Sequence, residues 1–286
     1  MQRLLRLALF LVLAGSLPVR AQDAGTSRYF TTSDGVRLHY LEAGSPAAHT
    51  IVLVPGWTMP AWIFTPQINA FARNYHVIAF DPRGQGDSDV PAGGYEPGRR
   101  GQDIAEMIAR IGGGPVVVIG WSLGVLDTLA YLHTHGDSRV AAMVLVDNSI
   151  GEDPAPRPHP YRPGPRIPHD EAMRRFVVSM FRKPQTEQYL DLLWEATLRT
   201  PEYAARELLA YPVPRTYWRE AVYMTAHPIL YVVRPGFAEQ AENLAHRHPA
   251  AESVVFTDAG HALFVDDAFR FNGLVQDFLT RRVWPQ

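Results

Sequence analysis

The chain of 286 residues contains no cysteine. That excludes disulfides, thiolate metal sites and a lipid-modified N-terminal cysteine, and it is compatible with an oxidising compartment. Charge of one sign is also missing: 27 Lys and Arg face 29 Asp and Glu, for a net charge of -2. No Lys/Arg run interrupts the chain, so no basic face for nucleic acid is expected. Long apolar runs are absent as well. The longest near the start, Leu7 to Leu13, falls short of the roughly 20 residues that span a bilayer, so no stable membrane span is expected. A Gly-x-Gly at Gly84 and Gly86 lacks the third glycine of a nucleotide-binding turn.

Residues 1–21 resemble a signal peptide: Arg3 and Arg6 precede the apolar run, and Val19-Arg20-Ala21 puts small residues at alternate positions. Cleavage after Ala21 would leave Gln22 first and predicts an exported protein, periplasmic or secreted. The remainder, 47% hydrophobic over the whole chain, is long enough for one α/β domain with an insertion.

The most informative stretch is Pro115 to His135. Val116 to Ile119 form a β-type run, Gly120-Trp121-Ser122-Leu123-Gly124 follows, and Leu126, Leu129, Ala130 and Leu132 recur at helical spacing. A serine on such a strand-to-helix turn has its hydroxyl lifted clear of the backbone, with small glycines two residues to either side. The Leu123 amide is aimed at the space above Ser122, where a helix N-terminus favours negative charge.

Strands are expected at Arg28–Thr32, Val36–Ala43, His49–Val54, His76–Phe80, Val140–Val146, Pro228–Val233 and Ser253–Thr257. The first two form a hairpin across Ser33-Asp34-Gly35. Helices are expected from Gln67, over Gln102–Ile111, over Ala238–His248 and from Ala268 to Arg281. This alternation predicts a mostly parallel sheet with helices on both faces. It is interrupted once, over 151–226, by a proline-dense connector and three amphipathic helices at Asp170–Arg182, Thr186–Arg199 and Pro201–Leu209, with Pro212 and Pro214 closing the segment. That block reads as a helical cap between core segments 22–150 and 227–286. Met173, Phe176, Met180, Phe181, Leu192, Leu193 and Trp194 would give it an apolar inward face, hence a small hydrophobic substrate.

A serine nucleophile needs a base. His261, in Asp258-Ala259-Gly260-His261 after the last strand, is the candidate; His133, His135, His246 and His248 lie on helices and read as structural, and Asp258 as a turn residue. With Pro55-Gly56-Trp57, Asp81-Pro82-Arg83-Gly84-Gln85-Gly86-Asp87-Ser88 and the Ser122 turn in this order, the chain from about Arg28 onward resembles an α/β-hydrolase. Within that superfamily it resembles the serine esterase and cofactor-free haloperoxidase (perhydrolase) branch. Arg83, Asp87 and Ser88 read as loop braces.

The resemblance implies the α/β-hydrolase fold, Ser122 as nucleophile, His261 as base, an acid behind it, and no cofactor and no metal. In most relatives the acid follows the strand that here ends at Val233, but Arg234-Pro235-Gly236-Phe237-Ala238-Glu239 contains no aspartate. Two candidates stay open: Asp147, at the end of the preceding strand as in some haloalkane dehalogenases, and Glu239 as the alternative acid. The resemblance places the second oxyanion-hole amide, beside that of Leu123, at Trp57. Trp57 and Trp121 either line the substrate pocket or pack in the core. Serine instead of aspartate at the turn speaks against alkyl-enzyme chemistry. The expectation is an exported serine hydrolase of carboxylic esters; the alternatives are perhydrolysis on the same residues and a non-catalytic, ligand-binding homologue.

Overall fold

The computed structural model describes residues 25–156 and 167–285. The expected signal segment and part of the proline-dense connector lie outside them. Eight strands form one sheet in the order β1-β2-β4-β3-β5-β6-β7-β8. They are β1 (Thr26–Thr31), β2 (Arg37–Ala43), β3 (Thr50–Val54), β4 (His76–Phe80), β5 (Val116–Trp121), β6 (Val140–Val146), β7 (Ile229–Val233) and β8 (Ala251–Val255). β1 and β2 pair antiparallel, as do β2 and β4; all other neighbours are parallel. The parallel strands β3, β5, β6 and β7 are apolar on both faces because helices cover both.

The helices are α1 (Thr65–Phe71), α2 (Pro97–Ile111), α3 (Leu123–His135), α4 (His169–Ser179), α5 (Glu187–Leu198), α6 (Glu202–Leu208), α7 (Arg215–Tyr223), α8 (Ala238–Arg247), α9 (Leu263–Asp266) and α10 (Ala268–Phe278). One core layer joins the sheet to α2, α3, α6, α7 and α8; the other joins it to α1, α4, α5, α9 and α10. No helix among the described residues is long and apolar enough to cross a membrane.

Proline accounts for two of the departures from expectation. α2 begins at Pro97, five residues before the expected start, because proline at the first helical position gives up an amide that has no partner there anyway. Pro214 likewise precedes a helix instead of closing a segment: α7 follows it directly and buries Trp218, Ala221 and Val222 in the layer that holds α3. Of the cap side chains expected to face inward, Met173, Met180 and Leu193 are buried, whereas Leu192 is exposed.

Two buried charge clusters tie α2 to its surroundings. Arg83 donates from Nε and Nη2 to Asp103 at 2.6 and 2.7 Å and from Nη1 to Asp34 at 2.9 Å, which holds the Asp34 carboxyl well below its usual range. Arg100 lies 3.2 Å from Asp127 of α3, yet burial outweighs that attraction and pushes the Asp127 carboxyl up from 3.8 to about 6. Between those two values the folded chain keeps a proton that the unfolded chain has released. Stability from this group is therefore full below about pH 4 and falls as pH rises through 6, by on the order of 3 kcal/mol. Urea midpoints measured across that window should drop with pH in the wild type, and the drop should flatten in Asp127→Asn.

Candidate active site

Ser122 connects β5 to α3 with φ 54° and ψ -118°. The residues two positions to either side of it must be glycine. A Cβ on Gly124 would lie 2.2 Å from the Val54 carbonyl oxygen, and one on Gly120 would lie 2.4 Å from that of Gly124. Gly124→Ala should therefore cost about 1–3 kcal/mol of stability, measured as a lower denaturant midpoint at unchanged slope. At Gly56 the Cβ would come within 3.0 Å of the Ser122 Cβ, so glycine lets the loop after β3 approach the serine.

Around Ser122, side chains from three strand ends converge. Its Oγ lies 2.8 Å from His261 Nε2, and His261 Nδ1 lies 2.6 Å from Asp147 Oδ2. Because a carboxylate only accepts, the Nδ1 proton points at Asp147 and Nε2 is left to accept from the serine hydroxyl. Asp147 is the residue after β6. Its amide donates to Val232 O at 2.9 Å, its φ is 51°, and its side chain has no solvent exposure. The three non-glycine residues of positive φ among the described residues, Thr58, Ser122 and Asp147, all belong to the loops around this site. Such backbone costs about 1–3 kcal/mol per residue and persists where the surroundings impose it.

His261 is held from behind. Trp121 Nε1 donates to the His261 carbonyl at 2.9 Å with the rings 5.2 Å apart, and Gly260 N donates to Asp266 Oδ2 at 2.7 Å. Trp121, one of whose expected places was the substrate pocket, is 1% exposed and packs on Phe264; it supports the histidine loop and offers no surface to a substrate. Trp57 is half-buried: its indole donates to Ala205 O at 2.7 Å and packs edge-on against Phe176, tying the loop after β3 to α6 and α4. Among the described residues neither the Trp57 nor the Leu123 amide donates a hydrogen bond.

Glu239 stands apart. It is exposed in the first turn of α8 and makes no hydrogen bond with His261. An acid in that turn does not reach the ring, because the groups that approach it there are those of Arg234, whose Nη2 is 3.5 Å from Nδ1. Asp258 is exposed and contacts Thr257.

Three partners went unseen in the sequence. Arg234 donates its amide to Asp147 Oδ1 at 2.9 Å and its Nε to Oδ2 at 2.6 Å. Asn148 Nδ2 donates to the Ser122 carbonyl at 2.8 Å, and Tyr231 donates to the Asn148 carbonyl at 2.6 Å. Burial and the charge on Asp147 push the Tyr231 hydroxyl well above its usual range, so it remains a donor. Arg234 carried a signal of its own, as the first residue beyond a buried strand at the ligand edge of the sheet.

His39, Asp81 and Asp87 bring ligand-type atoms within 4.8 Å of one another. Protein donors already take the central carboxylate: Asp81 accepts from Ala61 N at 2.5 Å, Asp87 N at 2.8 Å and His39 at 2.7 Å. His39 Nε2 meets Ser27 Oγ at 2.8 Å. The donor set fits a loop brace better than a metal ligand set. Ser88 adds to it, receiving His39 N and donating to the Asp81 carbonyl.

Residues 51–274 match the model of the alpha/beta hydrolase family. Over 100 residues the chain is 36% identical to a soluble epoxide hydrolase of Corynebacterium sp., covering 34% of each chain. It is 33% identical over 119 residues to a non-heme haloperoxidase of Rhodococcus erythropolis, covering 41% of this chain and 43% of that one. The chain thus spans less than half the length of these relatives. Among solved structures, an esterase from Rhodococcus sp. superposes with a TM-score of 0.75 at 24% identity, over 90% of this chain and 99% of that one. With the serine turn, the sheet order and the family match in agreement, the chain belongs to the alpha/beta hydrolase family.

Proposed function

We propose that the protein is a serine hydrolase of carboxylic esters that works through an acyl-enzyme on Ser122. The continuous relay from Ser122 Oγ through His261 to Asp147, at 2.8 and 2.6 Å, carries this reading. His261 Nε2 takes the hydroxyl proton as Oγ bonds to the ester carbonyl carbon, and the charge collects on the carbonyl oxygen. The undonated amides of Leu123 and Trp57 serve as the oxyanion donors. When the tetrahedral adduct collapses, the bond to the leaving oxygen breaks and His261 returns the proton to it. A water then repeats the sequence on the acyl group and frees Ser122. Asp147 stabilises the imidazolium formed in each half.

Although an epoxide hydrolase is among the relatives, the residue at the turn is a hydroxyl nucleophile and not a carboxylate, which favours acyl transfer. The apolar side chains of α4 and α5 above the site support a hydrophobic acyl or alcohol group. Stopped-flow hydrolysis of a short aryl ester tests this directly. An initial burst of phenol stoichiometric with enzyme is expected; purified enzyme with no turnover of any aryl ester contradicts it.

The haloperoxidase relative favours a second reading of the same residues, with hydrogen peroxide in place of water as acyl acceptor. The ratio of peracid formed to ester hydrolysed at equal conversion separates the two. Export is proposed from the pattern of residues 1–21 alone, with Gln22 expected as the mature N-terminus by sequencing of protein recovered outside the cytoplasm.

A further inference from the structure

The geometry points to Arg234 as a positioning residue of the relay: it clamps the Asp147 carboxylate against His261 and sets a positive charge beside the imidazole. This rests on the serine-hydrolase reading above.

In this chain the loop after β7 supplies a cation in place of an acid. Asp147 is buried and carries three donors, namely the Arg234 amide on Oδ1 and both Arg234 Nε and His261 Nδ1 on Oδ2. The two Arg234 contacts, one from its backbone amide and one from its side-chain Nε, span both carboxylate oxygens, so the carboxylate cannot rotate without breaking one of them. These contacts fix the side chain of a residue whose backbone has a φ of 51°.

The same guanidinium acts on the base. Its Nη2 is 3.5 Å from His261 Nδ1, but both atoms carry protons once Nδ1 donates to Asp147, so the contact is one of charge and not a hydrogen bond. A positive charge there disfavours the imidazolium.

The other charged groups around the histidine loop are occupied elsewhere. Asp266 of α9 accepts from the Gly260 and Arg182 amides, the Arg182 side chain donates to Thr257 O, and Asp258 and Glu239 are exposed. Arg234 is 39% exposed, so solvent screens its charge at the ring.

The test is the profile of kcat/KM for an aryl ester from about pH 5 to about pH 9, whose acid limb reports the free enzyme's base. In Arg234→Met, kcat should fall about tenfold with little change in KM, and the acid-limb midpoint should rise by about one unit. Arg234→Gln removes the charge but keeps an N–H donor, and should give the same rise even if the methionine variant fails to fold. Arg234→Lys should return the midpoint toward the wild type while kcat stays reduced, because lysine restores charge without the Nε–H bond to Asp147 Oδ2. A midpoint unchanged in both uncharged variants, whatever happens to kcat, overturns the assignment. If Ser122→Ala keeps turnover, the serine-hydrolase reading itself has failed; if Ser122 proves essential and the midpoint does not move, only the role of Arg234 has.

Discussion

Replacing Ser122 with alanine is expected to lower kcat for short aryl esters by about a million-fold, with the fold and thermal stability retained. The size follows from what is removed. Without the hydroxyl no acyl-enzyme forms, and His261 can act only on a water that nothing positions. The residual rate would come from the two free amides and from substrate binding. The folded state tolerates the change because Ser122 contributes only its hydroxyl to side-chain hydrogen bonding, to His261 Nε2, while its backbone bonds to Val146 and Asn148 remain. Alanine at φ 54° carries strain of the same kind as serine, so the turn is not made worse.

The second large effect is expected at Asp147. Asp147→Asn should reduce kcat by about ten-thousand-fold. An amide at this position can present its NH2 to His261 Nδ1, which places the ring proton on Nε2 and turns the base away from the serine hydroxyl. It also removes the charge that stabilises the imidazolium and leaves the Arg234 guanidinium without its counter-ion. Glu239→Gln is the matched control and should stay within about twofold of the wild type, since an exposed carboxylate that does not bond to the ring has nothing to lose. Full turnover rates for both variants, with substrate saturating, check the pair. A loss confined to the Glu239 variant would reverse the assignment of the acid.

The parts of the site that were legible in the sequence are those whose geometry is local. Ser122 lies in an unbroken strand, turn and helix pattern, and the glycines around it are demanded by contacts within a few residues and by one neighbouring strand. His261 stood out because its loop follows the last strand. The sheet was legible for the same reason: runs such as 51–54 and Val140–Val146 are apolar throughout, which leaves few places but the centre of a covered sheet.

What depends on neighbouring strands was harder to see. Asp147 and Glu239 could be separated only once β6 and β7 were aligned, because Arg234 occupies the approach to His261 from the second strand. Arg234 stands where the family pattern places a carboxylate, and here a cation completes the site. Trp121 continues β5, a strand buried on both faces, and its own face with Val117 and Ile119 is core. Pro97 and Pro214 hid helix starts, since the same residue that ends a helix also opens one and only the backbone before it distinguishes the two.

The relay from Ser122 through His261 to Asp147 is tested most directly by reaction with a fluorophosphonate, followed by peptide mapping of the adduct by mass spectrometry. Such a probe reacts with a serine only when a neighbouring base activates it. The wild type should carry one adduct, on Ser122, and His261→Ala should label at least about a hundred-fold more slowly. An unlabelled wild type, or an adduct on any other residue while ester hydrolysis continues, would contradict it.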